Sequence, residues 1–106
     1  MAAGRDAFNR GDFYEAHELW EEVWNVIDDP ERRWVQGLIQ VATGLHKLER
    51  GRDDVCATLL RKALGKLAGA PALLDGVGVA AAQRGAERVL EGVAGGKPPP
   101  ARSVRV

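Results

Sequence analysis

Apolar side chains recur at intervals of three and four along most of this chain, which is the period of an amphipathic helix. From residue 13 to 27 they are Phe13, Ala16, Leu19, Trp20, Val23, Trp24 and Ile27. From 31 to about 50 the stripe is Val35, Leu38, Ile39, Val41, Ala42, Leu45 and Leu48. From 53 to 68 it is Val55, Cys56, Leu59, Leu60, Ala63, Leu64 and Leu67. A short helix over 2–10 and an alanine-rich one over about 79–93 complete the set. No stretch alternates with period two for long enough to predict a strand.

The residues between these stripes are breakers and caps. Gly11 ends the first helix, and Asp12 with Glu15 three residues on has the spacing of a capping box. Asp29 is placed to cap the next helix, with Pro30 at its first position, where a missing N–H costs nothing. Gly51 closes that helix, and Gly69 with Pro71 closes the following one. Residues 72–78 read as a single turn before a glycine-rich loop. The run Gly95-Gly96-Lys97-Pro98-Pro99-Pro100 cannot be helical. The fold class predicted is all-α: a compact single-domain antiparallel bundle of four to five helices over residues 1–96. A Pro-rich tail over 97–106 follows, either extended on the bundle or disordered. Asn9-Arg10-Gly11-Asp12 and Glu49-Arg50-Gly51-Arg52 stand forty residues apart in the same relation to a following helix. They read as one way of turning between helices used twice, not as a repeat array.

Size narrows the functional classes. A chain of 106 residues holds one core and one shallow pocket, not two lobes around a cleft. Fifteen Lys and Arg balance fifteen Asp and Glu, so no overall field favours nucleic acid or a membrane surface. The charge is polarised, however. Residues 12–31 carry acids and no lysine or arginine, whereas beyond residue 31 bases outnumber acids 13 to 6. The single Cys56 excludes an internal disulfide and falls on an apolar stripe, where it reads as a small core residue. With no secretory signal and no apolar run of membrane-spanning length, a soluble cytoplasmic protein is expected.

Chemically capable residues concentrate in Tyr14-Glu15-Ala16-His17-Glu18-Leu19-Trp20-Glu21-Glu22-Val23-Trp24 and in a later block, Gln36-Gly37-Leu38-Ile39-Gln40-Val41-Ala42, followed by His46. At 100° per residue Phe13, Trp20 and Trp24 centre the apolar face, and His17 lies at its edge with Glu21 as its surface neighbour. Glu15, Glu18 and Glu22 face the other way. His46 falls on the apolar face of its helix, and Gln36, Gln40 and Lys47 form a polar stripe beside it. Gly37 and Gly44 each cost about 1 kcal/mol against alanine inside a helix, which close approach of a neighbour such as Trp20 or Trp24 would offset. His17, Glu21 and His46 suit zinc or iron chemically if packing unites them. Their spacing matches neither H-E-x-x-H nor the Glu-x-x-His of di-iron bundles, so neither metal nor cofactor is expected.

The chain resembles the DUF309 family, small helical proteins of bacteria and archaea of unknown function. The resemblance rests on Phe8-Asn9-x-Gly11-x-Phe13-Tyr14-x-Ala16-His17-Glu18-x-x-Glu21-x-x-Trp24, on the Gln36–Ala42 block with His46, and on Gly51 with Leu59-Leu60-x-Lys62-Ala63. It implies a compact all-α fold and a shared site around His17, Glu18, Gln36, Gln40 and His46, but no reaction. The sequence reading is therefore a small non-catalytic binding or interaction module with ligand-binding candidates His17, Glu18, Trp20, Glu21, Gln36, Gln40 and His46. Its partner is expected to be a protein segment or a small polar ligand. The alternative is a hydrolase-type or metal-dependent enzyme using His17 and a glutamate as acid–base or ligand pair. A nucleic-acid role would need Arg32, Arg33, Lys47, Arg50, Arg52, Arg61, Lys62 and Lys66 to share a side, and is the least favoured. Homodimer formation is suggested by Val77, Val79, Val89, Leu90 and Val93, which have few large partners in the sequence.

Overall fold

The computed structural model describes all 106 residues. It contains five helices: α1 (Ala2–Asn9), α2 (Phe13–Trp24), α3 (Glu31–Glu49), α4 (Asp53–Leu67) and α5 (Val79–Ala94). One small hairpin, β1 (Leu73–Leu74) with β2 (Val77–Gly78), and a 3-10 turn at Ala101–Ser103 complete it. The fold is all-α, as the hydrophobic period predicts. No helix is long and apolar enough to cross a membrane.

The two Gly turns are the same device. After α1 the Gly11 N–H donates to the Phe8 carbonyl and the Asp12 N–H to that of Ala7; after α3 Gly51 donates to Leu48 and Arg52 to Lys47. Both glycines have positive φ, 86° and 76°, and each bond pair is a Schellman cap. Each turn feeds directly into the next helix, through Ala16 N–H to Asp12 and Cys56 N–H to Arg52. The forty-residue echo is thus a repeated helical hairpin. The capping box does not form: Asp12 makes no side-chain cap bond. Arg10 instead binds both carboxylates, at 3.3 Å to Asp12 and 3.3 Å to Glu15.

Helix α3 is the centre, packed on α2 along one side and α4 along the other. Both packings are antiparallel: the start of α2 meets the end of α3, and Gly37 and Gly44 of α3 face Leu67 and Leu60 of α4. The two glycines therefore admit α4 and not a tryptophan. A methyl at Gly37 would lie 2.7 Å from Leu67 Cγ. The indole of Trp20 is instead accommodated by Gly4 of α1. The core runs from Phe8, Phe13 and Trp20 through Leu38, Val41 and Leu45 to Leu60, Leu67, Val79 and Val89. Cys56 is enclosed there. Burial, with a smaller contribution from the Asp53 charge, pushes its thiol up to about 11, so it is a packing residue and no nucleophile.

The last third departs from expectation at one place. Residues 72–78 form not a helical turn but a hairpin pairing Leu73 with Gly78 and Leu74 with Val77. Asp75 and Gly76 both take positive φ, as a two-residue turn of this hand requires. The tail, meanwhile, covers α5. Val104 packs on Gly85, and Lys97 and Pro98 pass over Gly92. The Val106 carbonyl accepts from Gly78, while the Val106 N–H donates to Asn9 Oδ1 at 2.8 Å. Val77, Val79 and Val89 are enclosed within this one chain, where α5 packs on α4 and α3 and the tail runs along its glycine edge. Much of the apolar face that suggested homodimer formation is taken up by packing inside the chain.

Candidate functional site

Phe13, Ala16 and Trp20 are buried and fix the rotation of α2. That rotation leaves His17 at the rim with its side chain 27% exposed, where its Nε2 meets Glu21 Oε2 at 2.9 Å, one turn along the helix. The angular argument anticipates this pair. It does not anticipate Tyr14. The Tyr14 ring lies 5.6 Å from the His17 ring on one side and 5.7 Å from the His46 ring on the other, and remains 57% exposed. It is a phenol propped between two imidazoles. The sequence offered one signal for it, the only tyrosine of the chain one turn before His17. His46 is half-buried beside that ring and is not enclosed on the apolar face. Because Tyr14 stands between the histidines, they do not converge, and no group of three or more His, Cys, Asp or Glu is arranged to hold a metal ion.

Other candidates go elsewhere. Trp20 is fully enclosed, and its Nε1 donates to the Met1 carbonyl at 3.2 Å. It supports the face and cannot touch a ligand on it, which corrects its place among the binding residues. Trp24 is half-buried, its ring covered by the Arg32 guanidinium at 3.7 Å. Arg32 Nε also donates to the Trp24 carbonyl at 3.2 Å. Gln36 belongs to that end, lining a depression with Trp24, Asp29, Arg32, Arg33 and Lys66. Structure thus separates Gln36 from the two histidines.

Two buried side-chain polar atoms have no partner in the fold, Trp24 Nε1 and Gln40 Oε1. An unpaired buried polar group costs about 1–3 kcal/mol. The Gln40 Oε1 therefore adds no hydrogen bond to the fold. Gln40→Met keeps the volume and removes the amide, and is expected to raise stability by about 1 kcal/mol in a denaturant titration. A destabilisation of that size would instead make Gln40 structural.

Charge completes the site. Tyr14, His17, Glu18, Glu21, Glu22 and Asn25 line an open depression of about 400 Å³. Glu15 is bound to Arg10, and Glu21 to His17. Glu18 and Glu22 are exposed and join no ion pair within 4.0 Å. On the far side of Tyr14 a second open depression reaches His46, Glu49 and Arg102, where Arg102 Nε meets Glu49 at 3.4 Å. The face is aromatic at its middle and negative on the Glu18–Glu22 side, while Arg10 and Arg102 offset the acids on the other.

A family model described as "Domain of unknown function (DUF309)" matches residues 1–59, a span that holds every residue of this face on α2 and α3. A protein of Aquifex aeolicus (strain VF5), described as "Uncharacterized protein", is 35% identical over 94 residues, 88% of this chain. The chain spans only 28% of that relative's length. No solved structure matches.

Proposed function

Because the chain belongs to the DUF309 family, a domain of unknown function, we propose from its own geometry that it is a small non-catalytic binding module whose α2 face takes a basic segment of a partner protein. The observation that carries this reading is Tyr14, an exposed ring held between two imidazoles and bordered by Glu18 and Glu22. A ring propped on both sides loses little freedom on binding, which is how tyrosine contributes at recognition surfaces. Its exposed part can attract an arginine or lysine by about 0.5–1 kcal/mol, the usual cation–π gain at exposed sites. The unpaired glutamates add complementary charge and steer approach. Both flanking depressions are open, whereas small-molecule sites enclose most of their ligand.

The test is binding of an arginine-rich decapeptide by fluorescence anisotropy, with a glutamate-rich peptide as control. Tyr14→Ala is expected to weaken binding several-fold, on the order of the loss of one aromatic contact, with the melting temperature unchanged. Equal binding by the variant would remove the reading. A second reading has its own observation: His17 Nε2 and Glu21 Oε2, 2.9 Å apart at an open surface, are arranged as an acid–base pair. Turnover in a hydrolase screen that disappears in His17→Ala, with folding preserved, would favour that enzyme.

A further inference from the structure

The chain carries fifteen Lys and Arg residues. Three of them, Arg32 and Arg33 on the first turn of α3 and Lys66 on the last turn of α4, meet at one depression of about 210 Å³ with Trp24, Gln36 and Asp29. We infer that this depression is a binding site for a phosphate monoester.

Both guanidiniums are held in place by backbone. Arg32 lies over the Trp24 ring at 3.7 Å and uses Nε on the Trp24 carbonyl, while Arg33 uses Nη2 on the Gly65 carbonyl at 2.8 Å. Each anchor consumes one of the donors in the fork, and the rest remain free for a ligand. Carbonyls neutralise no charge. None of Arg32, Arg33 or Lys66 forms an ion pair within 4.0 Å, although four other arginines of the chain do. Three cations and the Asp29 carboxylate leave a net charge of about +2, against the about −1.5 to −2 of a phosphate monoester at neutral pH. A diester carries a single charge and fits less well. The amides of Arg32, Arg33 and Trp34 on the first turn of α3 already donate to the Asp28 and Pro30 carbonyls, so it is the side chains that face a ligand. Gln36, one turn on from Arg32, supplies an uncharged amide donor beside the cations. Fixed forks with free donors are the arrangement that recognises phosphate oxygens in pairs. The site shares no lining residue with the Tyr14 face.

The test is a titration of isotope-labelled protein with inorganic phosphate and with phenyl phosphate, followed by NMR at constant ionic strength. Saturable shifts are expected at the Trp24 indole and the Gln36 amide. Arg33→Gln and Lys66→Gln, both at the surface of the fold, should each weaken binding about tenfold, the loss of one charge-assisted contact. Dimethyl phosphate should bind more weakly than phenyl phosphate, and Tyr14→Ala should change nothing. Shifts that follow ionic strength alone, unchanged affinity in both variants, or equal binding of the diester or of a single-stranded oligonucleotide would each overturn the assignment.

Discussion

Replacing Trp20 by alanine is expected to cost about 3–5 kcal/mol, the usual loss for a large buried ring. Domains of this size have only about 5–15 kcal/mol to lose. The indole is enclosed, stacks at 5.8 Å on Phe8, and occupies the space that Gly4 leaves on α1. Its Nε1 also holds the Met1 carbonyl at 3.2 Å. The truncation would therefore open a cavity and detach α1 from α2. Thermal unfolding should fall by about 12–40 °C, at the usual 4–8 °C per kcal/mol for a domain near this length. Amides of α1 should lose hydrogen-exchange protection first. A shift of only a degree or two would mean that Trp20 is not the anchor described. The same burial means that lost binding in this variant would report unfolding, not contact with a partner.

Reversing two charges, Glu18→Lys with Glu22→Lys, is expected to weaken binding of a basic peptide at least about tenfold, since like charges would replace complementary ones at the rim. Stability should change by less than about 0.5 kcal/mol, because both side chains are exposed and unpaired. The difference between variant and parent should shrink as salt is raised, the Debye length being about 10 Å at 0.1 M. Peptide affinity measured at two salt concentrations decides it. Unchanged affinity would exclude the acidic face as the docking surface.

Periodicity sufficed for the five helices and for both Gly turns, because those depend on neighbours in sequence. It also placed His17 at the rim with Glu21 in reach, since an i, i+4 pair is local. What it missed depends on which distant element arrives. Gly37 and Gly44 are visible as small residues, but nothing local says that Leu67 and Leu60 fill the space. Gly85 and Gly92 leave the room on α5 in which the tail is laid, and nothing local names the tail as their partner. The capping box was displaced by Arg10, a longer and charged competitor from the preceding helix. His46 lies in line with the apolar stripe, yet α3 outruns its cover there. Past Leu45 its neighbour on the α2 side is the ring of Tyr14, itself in solvent. An angular projection treats a helix as covered along its whole length, and His46 stands where that fails. Asp75-Gly76 is a recognisable hairpin signal, but two-residue strands leave no period to detect.

The central claim is that Tyr14, propped between His17 and His46, is the middle of a docking face. The most direct measurement is an NMR titration of isotope-labelled protein with an arginine-rich peptide, read residue by residue. The account expects saturable shifts confined to Tyr14, His17, Glu18, Glu22 and His46, lost in Tyr14→Ala while the variant's melting temperature stays at the parent value. Shifts spread over all acidic residues, or the same shifts retained in Tyr14→Ala, would contradict it.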